Sequence, residues 1–214
     1  TGNSIHPERQ TKPYVHQTIF SPDKKYVLVN NLGTDKVTCY RYNSKSSDQA
    51  LTLSDEIKLK AGSGPRHLTF SKNGKYIFVL QELDGTISTL SFNNGKFSLI
   101  SETTLVQQNE SETGAADIHT SPDGKFVYAT NRGSANNISC FAVEKNGSLR
   151  LVEQTSVKGV GPRNFCITAD GKYILVGNQR TNQITVFSRD KKSGILYDTG
   201  MMINISAPVC IVEF

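Results

Sequence analysis

The sequence repeats itself with a period near fifty residues, and this limits its fold more than any other feature. One pattern returns four times: Phe20-Ser21-Pro22-Asp23-Lys24-Lys25-Tyr26, Phe70-Ser71-Lys72-Asn73-Gly74-Lys75-Tyr76, Thr120-Ser121-Pro122-Asp123-Gly124-Lys125-Phe126 and Ile167-Thr168-Ala169-Asp170-Gly171-Lys172-Tyr173. The copies lie 50, 50 and 47 residues apart. A period of that length belongs to an array of supersecondary units and not to two ordinary domains.

Each copy has the same grammar. A short apolar stretch such as Arg66 to Phe70 runs into a turn built from Pro, Asp, Asn or Gly, whose backbone preferences reverse the chain. A β-branched and aromatic run follows, for example Tyr76-Ile77-Phe78-Val79. A polar loop leads to an alternating run such as Gln183-Ile184-Thr185-Val186-Phe187, and a fourth run such as Gly147-Ser148-Leu149-Arg150-Leu151 closes the unit. No stretch sustains a 3.6-residue period. The expectation is an all-β, single-domain β-propeller over 1–214, with four-stranded antiparallel blades near 13–60, 64–108, 114–157 and 161–204. Ala207-Pro208-Val209-Cys210-Ile211-Val212 aligns with the openings Gly64-Pro65-Arg66 and Gly161-Pro162-Arg163, so 207–214 is expected to be one further closing strand. An isolated strand would leave two unpaired edges, and residues 1–15 are too short and polar to supply its partners. The chain is therefore expected to be the C-terminal part of a larger propeller.

Composition narrows the function classes. A net charge of +5 from 24 Lys+Arg and 19 Asp+Glu is mild and the basic residues are scattered, so nucleic-acid binding is not implied. No apolar run approaches the roughly 20 residues of a membrane span, and the first residues, Thr1 to His6, carry neither the basic nor the apolar region of a leader. Cys39, Cys140, Cys166 and Cys210 each sit in an apolar run without a Cys-x-x-Cys pair, and read as small buried hydrophobes in a reducing compartment. No spacing suggests a metal site, no glycine-rich loop suggests a nucleotide, and no serine occupies a G-x-S-x-G elbow. No cofactor or metal is expected.

Blade topology says where a site could form. If the first strand of a blade crosses the disc and the second returns, the start of the first and the end of the second share one face near the channel. The Ser-Pro-Asp-Gly-Lys turns then lie on the other face. In register, the strand starts hold His16, Arg66, Ala116 and Arg163, and the strand-two ends hold Leu32, Glu82, Arg132 and Gln179, followed by Arg180. Structural positions should repeat from blade to blade. These differ and are mostly ionisable, as a binding pocket requires.

Gly64-Pro65-Arg66-His67-Leu68-Thr69-Phe70, Ala116-Asp117-Ile118-His119-Thr120-Ser121-Pro122-Asp123-Gly124, Asn131-Arg132-Gly133, Pro162-Arg163-Asn164-Phe165 and Pro208-Val209-Cys210-Ile211 together resemble the lactonase family of seven-bladed propellers. The resemblance covers essentially the whole chain and departs from the family at Tyr14 and Asn31. It implies seven blades in the full protein, two to three more than this sequence holds, each of roughly 50 residues. It also implies a monomeric, cytoplasmic carboxylic ester hydrolase acting on a small anionic sugar lactone such as 6-phosphogluconolactone, in the pentose phosphate pathway. Muconate-type lactonization and a non-catalytic binding propeller are the alternatives.

By that resemblance, His16, Arg66, Glu82 and Arg132 are the catalytic residues, with Arg163, His67, Asn131 and Arg180 binding substrate. Chemistry alone leaves Glu82 or His16 as general base, and gives Arg66 and Arg132 the substrate anion and the developing oxyanion. Structural readings stand beside these. His16 could be a satisfied strand histidine, Arg66 and Glu82 a simple ion pair within one blade, Arg163 a tie at a blade junction, and Asp117 with His119 a hydrogen-bond pair between strands.

Overall fold

The computed structural model describes residues 2–46, 48–107 and 112–213. Among the described residues, sixteen strands form four separate sheets, each a meander in chain order. The first blade holds β1 (Val15–Phe20), β2 (Tyr26–Asn31), β3 (Lys36–Tyr42) and β4 (Leu51–Lys58). The second holds β5 (Pro65–Phe70), β6 (Tyr76–Gln81), β7 (Thr86–Asn93) and β8 (Lys96–Thr104). The third holds β9 (Ala115–Thr120), β10 (Phe126–Asn131), β11 (Asn137–Val143) and β12 (Leu149–Ser156). The fourth holds β13 (Pro162–Ile167), β14 (Tyr173–Asn178), β15 (Gln183–Arg189) and β16 (Leu196–Asn204). Thr1 and residues 108 and 214, which the sequence reading included, lie outside the described residues.

The repeated turns are tied by their own side chains. Ser21, Ser71, Ser121 and Thr168 donate to the carboxylate or amide oxygen two residues on, at Asp23, Asn73, Asp123 and Asp170. The same hydroxyls accept from the amides that open the second strands, at Tyr26, Tyr76, Phe126 and Tyr173. A short polar residue that bonds the backbone locally favours this reversal over helix, which explains why the motif marks every blade.

The core lies between blades. Leu28, Val37 and Cys39 of the first blade pack on Leu68, Ile77 and Val79 of the second, and Phe78 and Ile87 of the second on Ile118, Val127 and Phe141 of the third. Tyr128 and Ile138 of the third meet Phe165, Ile174 and Phe187 of the fourth. Middle strands are buried on both faces, as in β10, where all six residues are buried, while outer strands such as β16 face water. Cys39 and Cys140 join this core as expected, but Cys166 is half-buried and Cys210 is exposed. Cys210 lies in a tail with no covering neighbour blade among the described residues.

That tail corrects the expected closing strand. Residues 207–213 form no ladder, because a strand exists only where its amides and carbonyls pair with a neighbour. They nevertheless follow the path of a next innermost strand. The third residue of an innermost strand accepts, through its side chain, from the fourth amide of the following one: Gln17 from Leu68 at 2.6 Å and Asp117 from Phe165 at 3.1 Å. Asn164 accepts from Ile211 at 2.6 Å in the same way.

Candidate active site

Three of the four innermost strands begin with a bulge that skips a named site residue. Val15 pairs with Asn31 and Gln17 with Asn30, leaving His16 as the extra residue; Pro65 and His67 likewise bracket Arg66, and Pro162 and Asn164 bracket Arg163. A bulge re-aims the side chain it carries and often lies beside a functional site. Gly64 and Gly161 make the approach possible. Their φ values of 70° and 75° are left-handed, and a Cβ on Gly64 would lie 2.8 Å from Leu83 Cγ. Because the strands are antiparallel, each bulge lies next to the end of the second strand, where Glu82 and Arg132 follow β6 and β10.

Glu82 is the hub. Its side chain is 5% exposed, and Arg66 Nε donates to Oε2 at 2.8 Å while Arg132 Nη2 lies 3.3 Å from the same oxygen. Arg9 Nη1 lies 2.6 Å from Oε1. Burial alone would raise the Glu82 pKa, but the charges of Arg132, Arg66 and Arg9 outweigh it and hold the carboxyl below its ordinary value. All its oxygens are committed as acceptors, so Glu82 organises cations and is a poor base.

His16 stands beside this cluster as a neutral group. Burial, followed by the charges of Arg66 and His67, lowers its pKa to about 4, so it is neutral at pH 7. Its Nδ1 is buried without a hydrogen-bond partner among the described residues, which contradicts the reading of a satisfied structural histidine. The ring meets that of His67 edge-on, with centroids 5.0 Å apart.

The arginines are crowded. Burial, then the charge of Arg132, lowers the pKa of Arg66 to about 10; burial, with opposition from Arg163 and Arg9, lowers that of Arg132. Arg66 Nη1 also bonds Ala116 O, and Arg132 Nε donates to Gly114 O at 2.6 Å. Arg66 Nη2 and Arg132 Nη1 keep no partner among the described residues. Nor do the guanidinium groups of Arg163 and Arg180, so Arg163 ties no junction here. The Arg66–Glu82 pair lies within the second blade, but it belongs to a wider cluster, because Arg132 comes from the third blade and Arg9 from outside all four.

The remaining residues divide. His67 joins the cluster, with Nε2 3.2 Å from Arg66 Nη1 and Nδ1 2.7 Å from Asp117 Oδ1. Asn131 is buried, and its Oδ1 accepts from the amide of Gly114 at 3.0 Å, anchoring the loop that carries Arg132's carbonyl partner. Asp117 and His119 do bond, at 3.0 Å, but they lie two apart on β9 rather than on different strands, because alternate residues of a strand share a face. Arg180 is exposed and, with His6, Arg9, Glu82, Glu112 and Arg132, lines a pocket of about 370 Å³. The turn residues line separate crevices, as blade topology requires.

Arg9 is the member of the cluster that the repeat could not reveal. It belongs to an N-terminal turn anchored by buried Gln10, whose Nε2 donates to Asp35 Oδ1 at 2.7 Å and to Leu32 O at 2.8 Å. That turn has no counterpart in any blade, so register comparison passes over it.

A profile of the family described as lactonase, 7-bladed beta-propeller matches residues 1–213. A 6-phosphogluconolactonase of Formosa agariphila is 37% identical over 199 residues, covering 92% of this chain and 56% of its own length. One from Bacillus subtilis is 34% identical over 216 residues, covering 99% of this chain and 60% of its own. Among solved structures, a periplasmic gluconolactonase of Pseudomonas aeruginosa superposes with a TM-score of 0.91 at 35% identity, over 95% of this chain and 57% of that one. This chain thus spans somewhat more than half the length of the proteins it matches. No helix among the described residues is long and apolar enough to cross a membrane.

Proposed function

This chain belongs to the lactonase family of seven-bladed β-propellers, and from that premise we propose that it hydrolyses an anionic sugar lactone, 6-phosphogluconolactone to 6-phosphogluconate. The observation that carries the reading is the pairing of a neutral histidine, whose buried Nδ1 has no hydrogen-bond partner among the described residues, with an arginine cluster that one carboxylate only partly neutralises. Like charges held together cost stability, and such a cost at a pocket is the mark of a site made for an anion. The names of the relatives supply the substrate class.

The chemistry follows from the groups present. His16 takes a proton from water as the water oxygen attacks the lactone carbonyl. The unpartnered N–H groups of Arg66 and Arg132 stabilise the oxyanion, a contribution of about 10²–10³ in rate for each well-placed donor. The acyl–oxygen bond then breaks, the protonated His16 returns its proton to the leaving ring oxygen, and the carboxylic acid ionises. Glu82 keeps the guanidinium groups in place throughout. Arg163, Arg180 and Arg9 hold the substrate's phosphate, with His67 and Asn131 supporting the walls of the site. A phosphorylated sugar does not cross membranes unaided, so the reaction fits a cytoplasmic enzyme of the pentose phosphate pathway acting as a monomer.

The test is direct. Purified protein mixed with fresh 6-phosphogluconolactone in a pH-stat is expected to release acid well above the spontaneous rate. Lactone consumed without acid released, or no acceleration at all, would overturn the reading.

A further inference from the structure

We propose that Asp117 is a positioning residue for this site, acting through His67 to fix the Arg66 guanidinium. The inference rests on the lactonase reading above and deepens it.

Asp117 is 2% exposed and collects an unusual set of donors. Oδ1 accepts from His67 Nδ1 at 2.7 Å and from the Ile118 amide at 3.0 Å. Oδ2 accepts from His119 Nε2 at 3.0 Å, Asn164 Nδ2 at 2.5 Å and the Phe165 amide at 3.1 Å. Four donors from the third and fourth blades, with His67 of the second, lock this buried carboxylate in place. Burial opposes its charge, but His119 and the other donors prevail and keep its pKa far below the ordinary carboxylate range.

The tautomer of His67 follows from its two neighbours. Arg66 has only donors, so the Nε2 that lies 3.2 Å from Arg66 Nη1 must accept. The proton therefore resides on Nδ1 and is given to Asp117. The His67 ring is thereby held between a fixed carboxylate and a guanidinium. Asp117, His67, Arg66 and Glu82 form one continuous chain of hydrogen bonds from the third blade to the site hub. The same His67 ring abuts His16, so its orientation also shapes the surroundings of the base.

Asp117→Asn tests the chain sharply. An amide has one acceptor atom where five donors converge. If its oxygen faces Asn164 and Phe165, its NH₂ faces His67 and drives the proton to Nε2, against Arg66. The expected result for the full chain is a kcat for 6-phosphogluconolactone reduced about 10–100-fold with KM changed less than about 3-fold, since displacing reacting groups costs rate before it costs binding. An unchanged kcat in folded Asp117→Asn protein would overturn the proposal. Nitrogen-15 NMR of the histidine rings in the unsubstituted protein gives a second readout that needs neither a variant nor turnover. It is expected to show His67 protonated on Nδ1 alone; protonation on Nε2 would overturn the proposal. Protein that turns over no lactone yet shows this tautomer defeats the functional reading while upholding the hydrogen-bond chain.

Discussion

Arg66 Nε donates to Glu82 Oε2 across 2.8 Å with the two side chains only 2% and 5% exposed. Taking two such ions out of water costs several kcal/mol each, and their attraction seldom returns more than that. A propeller blade needs no such pair for its core, which is built from Leu68, Ile77, Phe78 and Val79. Removal of the pair should be felt in both stability and turnover.

Glu82→Gln leaves Arg9, Arg66 and Arg132 facing one another without their carboxylate. Equilibrium urea unfolding is expected to show a loss of about 3–5 kcal/mol, the range for stranding buried charge. Millimolar phosphate should restore part of this loss, and restore more in the variant than in the parent. A variant as stable as the parent, indifferent to phosphate, would contradict the hub assignment.

Arg9 is different because its side chain is 48% exposed. Solvent screens its pairing with Glu82, so Arg9→Ala should shift stability by no more than about 1 kcal/mol. Steady-state kinetics should show KM for 6-phosphogluconolactone rising about tenfold, with a smaller effect on unphosphorylated gluconolactone. Equal effects on both lactones would remove Arg9 from phosphate binding.

Arg163 and Arg180 carry charges that nothing among the described residues neutralises. Alanine at Arg180 should leave the melting temperature unchanged, and alanine at Arg163 should raise it slightly, since the Arg163 charge opposes those of Arg66 and Arg132. Titration with 6-phosphogluconate should show weaker binding, by about 1 kcal/mol or more per lost charge-assisted bond. Unaltered affinity in both variants would place the phosphate elsewhere.

The pH dependence has a definite sign. The His16 pKa is lowered to about 4 in the folded chain, so the base is free above that value and is lost as pH falls through it. The acid limb of kcat/KM, which reports the free enzyme, is expected near pH 4 rather than near the ordinary histidine value. Stability moves in the same direction: the unfolded chain binds this proton below its ordinary value of 6.5, so the contribution of neutral His16 fades between 6.5 and 4. A limb at 6.5 that persists in His16→Asn would show that another group titrates.

How much of this was legible in the sequence depends on whether a residue sits in the repeat. Arg66, Glu82, Arg132 and His16 stand out because their register partners differ while the apolar frame around them recurs. The turn serines announce themselves because each solves the same local hydrogen-bonding problem. Arg9 and Gln10 lie outside any repeat, and their positions depend on Asp35, which takes a left-handed backbone between β2 and β3. The bulges are hidden too, since each falls one residue into its strand, before any alternation is established. The 207–213 segment carries the right strand-opening residues but lacks a ladder partner, a long-range requirement that local composition does not encode.

The central claim is that His16 is the neutral base of a lactone hydrolysis whose oxyanion rests on Arg66 and Arg132. The decisive measurement is kcat for 6-phosphogluconolactone at pH 7 in His16→Gln protein whose melting curve matches the parent. The account predicts a fall of about 10²–10⁴, the usual contribution of a general base. A kcat within a factor of two of the parent would contradict it.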